Sequence, residues 1–240
     1  MLQDIKIFDN SILEEIKIYS NRNPKEEVCG LIYEKDKKQK IFKCSNISSN
    51  KETNFIINPE DLHFCSFRGE ILAAFHSHLK NFSFSSEDIE ESFKNEISYL
   101  LYLKSSDTFH FFNPEKNLYL KKYLLKSPQI HIHSKSEDLI KLFFKNEFSI
   151  DLEISLKTRD LVYDKKNFYL IQKEEKMEYY DIFILGGFEN DQSKHLAIYL
   201  KNNLILHSIY SENNIIEGLS DWHLKHLEYI LRCKKYIDFF

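Results

Sequence analysis

The sequence predicts an α+β protein built as two domains, and three observations point there. At 240 residues and 28.8 kDa the chain is long for one domain and ample for two, since domains commonly run to about 100–150 residues. Residues 1–115 alternate short apolar runs with amphipathic stretches, the pattern of a mixed sheet flanked by helices. After a connector at 116–127, residues 128–240 open on an amphipathic helix and continue through three closely spaced strands, a helix followed by an antiparallel meander.

With only 5 glycines and 4 prolines in the chain, boundaries must be read from changes of pattern. Ser11 to Ser20 places Ile12, Leu13, Ile16 and Ile18 at mostly helical spacing behind an Asn10/Ser11 cap. Val28 to Tyr33 reads as a buried strand, Glu34 to Lys40 as a lysine-rich hairpin turn, and Ile41 to Cys44 and Asn54 to Ile57 as further strands. Pro59 opens a helix at a position where its missing N–H costs nothing. Glu70 to Phe75 is a strand that runs into His76-Ser77-His78. Ser86 to Lys94 is a helix with an acidic start, and Ile97 to Lys104 and Phe109 to Phe112 are strands closed by Asn113-Pro114. Lysine-rich residues 116–126 lead to Pro128. Behind Ser136, the side chains of Leu139, Ile140, Leu142, Phe143, Phe144 and Phe148 form an apolar helix face. A polar stretch runs to Met177, followed by strands at Tyr180 to Leu185, His195 to Leu200 and Asn203 to His207, and a last helix at Trp222 to Tyr236.

Composition excludes several classes of function. The net charge of −4 gives no electrostatic drive toward nucleic acid. Only Arg22, Arg68, Arg159 and Arg232 of the 33 basic residues are arginines, a composition bias and not a basic patch. No stretch approaches the roughly 20 apolar residues of a membrane span, and Met1 to Asp4 does not begin a signal peptide. The expected compartment is the cytoplasm of the host cell. Cys29, Cys44, Cys65 and Cys233 lack CxxC spacing, so neither disulfides nor a thiolate zinc knuckle is expected.

The most informative residues are His76 and His78. Two apart at the end of an apolar run, they share one face of a strand, where both rings reach a single metal ion. Asp88, arriving from the next element, supplies a third ligand and leaves a fourth position open, the mark of a catalytic zinc site. Each residue alone has an ordinary reading: strand-end histidines satisfied by water, Ser85 and Asp88 as a capping pair at a helix start, Glu27 as a surface acid. His131 and His133 form a second HxH pair without a carboxylate partner and are expected to be exposed polar residues.

Taken together, Glu27 ahead of Val28-Cys29-Gly30-Leu31-Ile32, then His76-Ser77-His78, then Ser85-x-x-Asp88 resembles the signature of the JAMM (MPN+) metallopeptidases. Residues 24–32 look like that family's opening motif, and Asn54 to Asp61 is similar to a segment of its bacterial and phage members. The resemblance covers residues 1–115. It implies Zn2+ held by His76, His78 and Asp88, with Glu27 as the general base and Ser85 as a hydrogen-bond donor to the oxyanion. Two departures stand out: Leu79 follows the second histidine where the family has proline, and the run from His78 to Ser85 is one residue short. Metal binding is therefore the firmer expectation, ahead of turnover.

The second half resembles the NlpC/P60 cysteine-peptidase domain, a compact papain-like fold, through Asp181 to Ile184, His195 to Leu200, Leu204 to Ser208 and the helix behind Ser136. That resemblance places Ser136 where the nucleophilic cysteine belongs, with Lys135 in place of the preceding acid and His195 and His207 as the remaining site residues. A serine hydroxyl ionises far less readily than a thiol, so the expectation is a vestigial, non-catalytic site at Ser136, His195 and His207. A JAMM domain followed by an NlpC/P60 domain in one short chain is similar to the phage tail-assembly protein K family. This implies phage tail proteins or a peptide as partner, peptidoglycan as a further ligand of the second domain, and a place in the bacterial cytoplasm or the tail tip. The alternatives are a tail-assembly factor without turnover and a peptidoglycan hydrolase that uses Ser136.

Overall fold

The computed structural model describes residues 5–80, 83–124, 136–156, 161–186, 194–200, 203–209 and 213–234. The fold is α+β, with six α-helices and three sheets among the described residues. The chain divides into two compact units, Met1–Tyr119 and Leu120–Phe240. The division falls inside the stretch expected to be a connector, part of which is helical. His131 and His133 lie outside the described residues.

In the first unit a short 3-10 turn (Ile5–Ile7) precedes helix α1 (Asn10–Asn21), strands β1 (Cys29–Lys35) and β2 (Lys38–Cys44), helix α2 (Pro59–Ser66), strand β3 (Glu70–His78), helix α3 (Ser86–Asn95) and strands β4 (Tyr99–Leu103) and β5 (Thr108–Phe112). The sheet order is β2-β1-β3-β4-β5. Only β3 and β4 are parallel, joined through α3 as a crossover. Asp36 and Lys37, with φ of 53° and 59°, make the two-residue turn between β1 and β2, the backbone that matches strand twist in a hairpin. Asp9, not Asn10 or Ser11, is the N-cap of α1.

Strand alternation sorts the side chains into two faces. Ile32, Ala73, Phe75, Leu100, Tyr102 and Phe111 join Phe8, Ile12 and Ile16 of the α1 side in one buried cluster. The intervening positions, among them Leu31, Ala74, His76, His78 and Leu101, face the other way. At Gly30 the Phe42 carbonyl and the Phe75 ring occupy the space a Cβ would need. Gly30→Ala should therefore destabilise the first unit by about 1–3 kcal/mol, seen as faster amide exchange across β1 and β3; unchanged exchange would mean that the ring and strand yield freely.

Asn54 to Ile57 is not a strand. It is held by a single bridge between Asn46 and Ile57 and by Ile47 N–H donating to the Ile56 carbonyl at 3.0 Å.

The second unit begins within α4 (Leu118–Leu124), where Leu120 and Tyr123 are buried. The Tyr123 ring packs on Phe143 of α5 (Ser136–Phe148), and its hydroxyl donates to Glu147 at 2.6 Å. Two short strands, β6 (Ile154–Ser155) and β7 (Val162–Tyr163), pair with each other. The main sheet contains β8 (Phe168–Ile171), β9 (Ile182–Leu185), β10 (His195–Leu200), β11 (Leu204–Ile209), β12 (Asn213–Gly218) and β13 (Leu227–Cys233), and α6 (Asp221–His226) precedes its last strand. Its order is β12-β11-β10-β9-β13-β8, antiparallel throughout.

The expected last helix, Trp222 to Tyr236, is therefore corrected to one short helix and a strand. A register shift between Leu227 and Tyr229 is the cause. The bulge leaves Glu228 and Tyr229 exposed between the buried Leu227 and the buried run 230–233, so the apolar Leu227, Ile230 and Leu231 of an irregular strand stand at helical spacing in the sequence. β8 and β12 are strands the sequence pattern did not announce.

Candidate functional site

His76 and His78 end β3 on the sheet face opposite α1, and α3 begins beside them because the β3–α3–β4 crossover returns along that edge. The carboxyl end of a parallel strand is a common place for a ligand site. Asp88 is the third residue of α3. Ser85 is its N-cap: the Ser85 Oγ accepts from the Asp88 N–H at 3.1 Å, and the Ser85 N–H donates to Asp88 Oδ2 at 2.8 Å. The capping reading and the ligand reading of this pair are therefore both met by one carboxylate. Asp88 Oδ1 lies 3.4 Å from His76 Nε2 and Oδ2 lies 3.4 Å from His78 Nε2.

These contacts are long for a charge-assisted hydrogen bond, which runs about 2.7–2.9 Å. Each has the length of one edge of a tetrahedral site, since two ligands about 2.0–2.1 Å from one zinc ion stand roughly 3.3 Å apart, with the two imidazoles facing different oxygens of the carboxylate. His76, His78 and Asp88 are buried, at 0, 2 and 7% exposure, and form a group able to hold a metal ion. Neither ring nitrogen of His76 makes a hydrogen bond, an expense a buried imidazole incurs when its intended partner is something else. His78 Nδ1 sits 3.0 Å from the Ser83 carbonyl, which fixes the proton there and leaves Nε2 as the ligand atom. The Phe55 ring stacks on His76 with centroids 4.3 Å apart. The donor set, the spacing and the orphaned nitrogens all fit zinc.

Glu27 precedes β1 and is 2% exposed, with one carboxylate oxygen 3.8 Å from His78 Nε2 and the other without a hydrogen bond. Its backbone is held on both sides: the N–H donates to the Lys51 carbonyl at 2.7 Å and the carbonyl accepts from Asn46 Nδ2 at 2.9 Å. Next to it, Val28 and Ser77 exchange two hydrogen bonds, N–H to Oγ at 3.1 Å and Ser77 N–H to the Val28 carbonyl at 3.0 Å. Burial pushes the Glu27 carboxyl up to about 7; Asp88 adds to this while His78 and Lys104 oppose it. A general base is most effective with its pKa near the working pH. For Asp88, burial alone would raise the carboxyl, but the two imidazoles hold it well below its ordinary range. A cleft of about 390 Å³ opens from this group, walled by Leu31, Phe55, Leu62 and Ile97 and by the polar Ser85 and Glu87.

In the second unit, His195 and His207 are brought together on neighbouring strands, His195 Nε2 lying 3.0 Å from His207 Nδ1. The Ser136 Oγ, at the start of α5, accepts from the Leu196 N–H at 3.3 Å. Burial, aided by His207 and His223, pushes the His195 imidazole down to about 4. All four cysteines are free and buried.

Three residues that matter to the first group had no signal in the sequence. Asn46 uses its whole side chain: Nδ2 donates to the Glu27 and Asn54 carbonyls, and Oδ1 accepts from the Ser48 and Ile56 N–H groups. It positions Glu27 against the 54–57 loop. Lys104 donates to the carbonyls of Asn23 and Glu26 and so ties down the segment before Glu27. Ser83 orients His78. Among the described residues no helix is long and apolar enough to cross a membrane. No protein-family model and no curated protein matches the chain, so its function is argued from the geometry of its own residues.

Proposed function

We propose that the first unit is a zinc-dependent peptidase or isopeptidase of the JAMM type. The observation that carries this reading is the convergence of three buried ligand atoms, from His76, His78 and Asp88, beside the buried Glu27 carboxylate at the head of a cleft. Zinc held by those three residues would supply a Lewis acid that brings a bound water into the ionisable range near neutral pH. Glu27 takes a proton from the attacking water as its oxygen adds to the scissile carbonyl carbon. It delivers that proton to the nitrogen as the C–N bond breaks, so the amine leaves neutral. Ser85 lines the cleft and accepts a hydrogen bond through its oxygen, which directs its own O–H outward as a donor to the developing oxyanion; such a donor contributes roughly 3–4 kcal/mol.

The setting in phage or prophage tail-tip assembly rests on the resemblance of the two-domain order, and the substrate it implies is a peptide or isopeptide bond of another tail protein. The second unit is read as a non-catalytic descendant, supported by a serine in the nucleophile position whose oxygen is engaged by a backbone N–H.

The test is metal content together with cleavage of a library of linear and lysine-branched peptides, followed by mass spectrometry. Glu27→Gln should retain zinc at His76, His78 and Asp88 and lose turnover by about 10²–10⁴-fold, the usual worth of a general base. Cleavage at the wild-type rate by Glu27→Gln, or zinc content unchanged in His76→Ala, would sink the reading.

A further inference from the structure

The second unit contains a group that the first unit's chemistry does not use. We propose that His207, Glu217 and His223 form a second metal centre, for a divalent transition ion of the zinc class. His207 lies on β11 and Glu217 on β12. The register pairs His207 with Ile215 and Ile205 with Glu217, so the two side chains are diagonal neighbours on one face of the sheet. His223 is the third residue of α6. Both imidazoles turn Nε2 toward the same carboxylate oxygen, Glu217 Oε1, at 2.7 Å from His207 and 3.4 Å from His223. The three ligand atoms all lie within 4.8 Å of one another.

The back of each ring is also engaged: His207 Nδ1 faces a ring nitrogen to which it can donate, as a ligating histidine requires, while His223 Nδ1 accepts in this arrangement and must exchange its tautomer to ligate. His207 Nδ1 is 3.0 Å from His195 Nε2, and His223 Nδ1 is 2.8 Å from the Ser220 hydroxyl. The Ser220 backbone N–H faces the same His223 nitrogen at a longer 3.2 Å. Without metal, that N–H and the Glu217 carboxylate place the His223 proton on Nε2. Metal binding moves it to Nδ1, where the serine oxygen accepts it, with no net change in charge of the ring. A mixed set of two imidazoles and one carboxylate suits zinc-class ions and disfavours calcium and magnesium, which take oxygen ligands.

Access favours binding as well. The two histidine side chains are 7% and 6% exposed, so their rings are fixed, while Glu217 is 29% exposed and opens the group to solvent. The competing account is a carboxylate that merely receives two imidazole donors, and this account predicts no metal affinity. The 2.7 Å contact of His207 is an ordinary charge-assisted hydrogen bond, which metal binding would have to open; the 3.4 Å contact of His223 is longer than such a donor would take up.

Trp222, the only tryptophan of the chain, provides the probe, because its ring centroid is 5.1 Å from that of His223. The experiment titrates metal-free full-length protein with Co2+ and reads Trp222 emission together with bound cobalt by equilibrium dialysis. The expected result is a saturable loss of at least half the emission, reversed by a chelator and complete at one equivalent for this centre. His76→Ala should leave that quench intact while removing the equivalent bound by the first unit, so failure of the first reading and of this one are distinguishable. Glu217→Gln, which keeps an acceptor for His207 at a half-buried position, should weaken the quench constant at least tenfold with an unchanged far-UV spectrum. His207→Ala should abolish the quench. Absence of a saturable quench up to millimolar Co2+, or a constant unaltered in Glu217→Gln, would overturn the proposal.

Discussion

Zinc added to metal-free protein should slow amide exchange through β3 and α3 by about a thousandfold once free zinc stands a thousandfold above its dissociation constant. A ligand that binds only the folded state stabilises it by RT ln(1 + [L]/Kd), about 4 kcal/mol under that condition. The folded first unit presents His76, His78 and Asp88 already converged, an arrangement that the unfolded chain does not hold. The site without metal also leaves both nitrogens of His76 unpaired in a dry environment, each a cost of about 1–3 kcal/mol that ligation relieves at one of them. Asp88→Asn separates metal binding from helix capping. The amide oxygen can still accept the Ser85 N–H, and the backbone N–H can still donate to Ser85 Oγ, so exchange without zinc should change only a few-fold. The response to zinc should vanish, because the anionic ligand is gone. Full zinc protection in Asp88→Asn would show that these three residues do not hold the ion. Reading exchange at β3 and α3 confines the result to the first unit, whatever the second unit binds.

What the sequence announced and what it hid divide along physical lines. The histidine pair was legible because alternation on a strand fixes which residues share a face, and Asp88 was legible because a helix start is a local signal. Glu27 was legible only through resemblance, since a single acid before a strand carries no pattern of its own. Asn46 was not, because its role is to close a loop onto Glu27 across 19 residues, and nothing local encodes such a partner. The 54–57 segment has the alternation of a strand but pairs only through one bridge at Ile57, because the Asn46 side chain takes up the Asn54 carbonyl and the Ile56 N–H. In the second unit the bulge in β13 imitated a helix. Glu217 and His223 were hidden for the same reason as Asn46: they meet His207 only once β11, β12 and α6 are assembled.

The other large effect concerns what holds the second unit's sheet together. Arg232→Ala should destabilise that unit by about 3–5 kcal/mol, the usual result of stripping one partner from a buried ion pair. Arg232 projects from β13, its Nε and Nη2 forming a fork on the two oxygens of Asp181, just before β9, at 2.9 and 2.8 Å. Nη2 also donates to the Lys176 carbonyl at 2.7 Å, and Nη1 lies 3.1 Å from Glu178. With the guanidinium gone, Asp181, at 1% exposure, retains only the Glu178 N–H at 2.8 Å. Arg232→Lys keeps the charge but loses the planar fork, and should fall between the two. The deficit should also depend on pH. Burial already raises the Asp181 carboxyl above its ordinary value, with the Arg232 guanidinium and the Glu178 N–H opposing that rise. Removing Arg232 takes away the larger opposing partner and raises it further, so the added penalty is present at neutral pH and is relieved as the group takes up a proton. The gap between wild type and Arg232→Ala should therefore narrow between pH 7 and pH 5, measured as urea midpoints from Trp222 emission, which reports the second unit alone. A gap that stays constant over that range would mean that Asp181 recovers a cationic partner in the variant, and Lys176, two residues before Glu178, would be the first to replace.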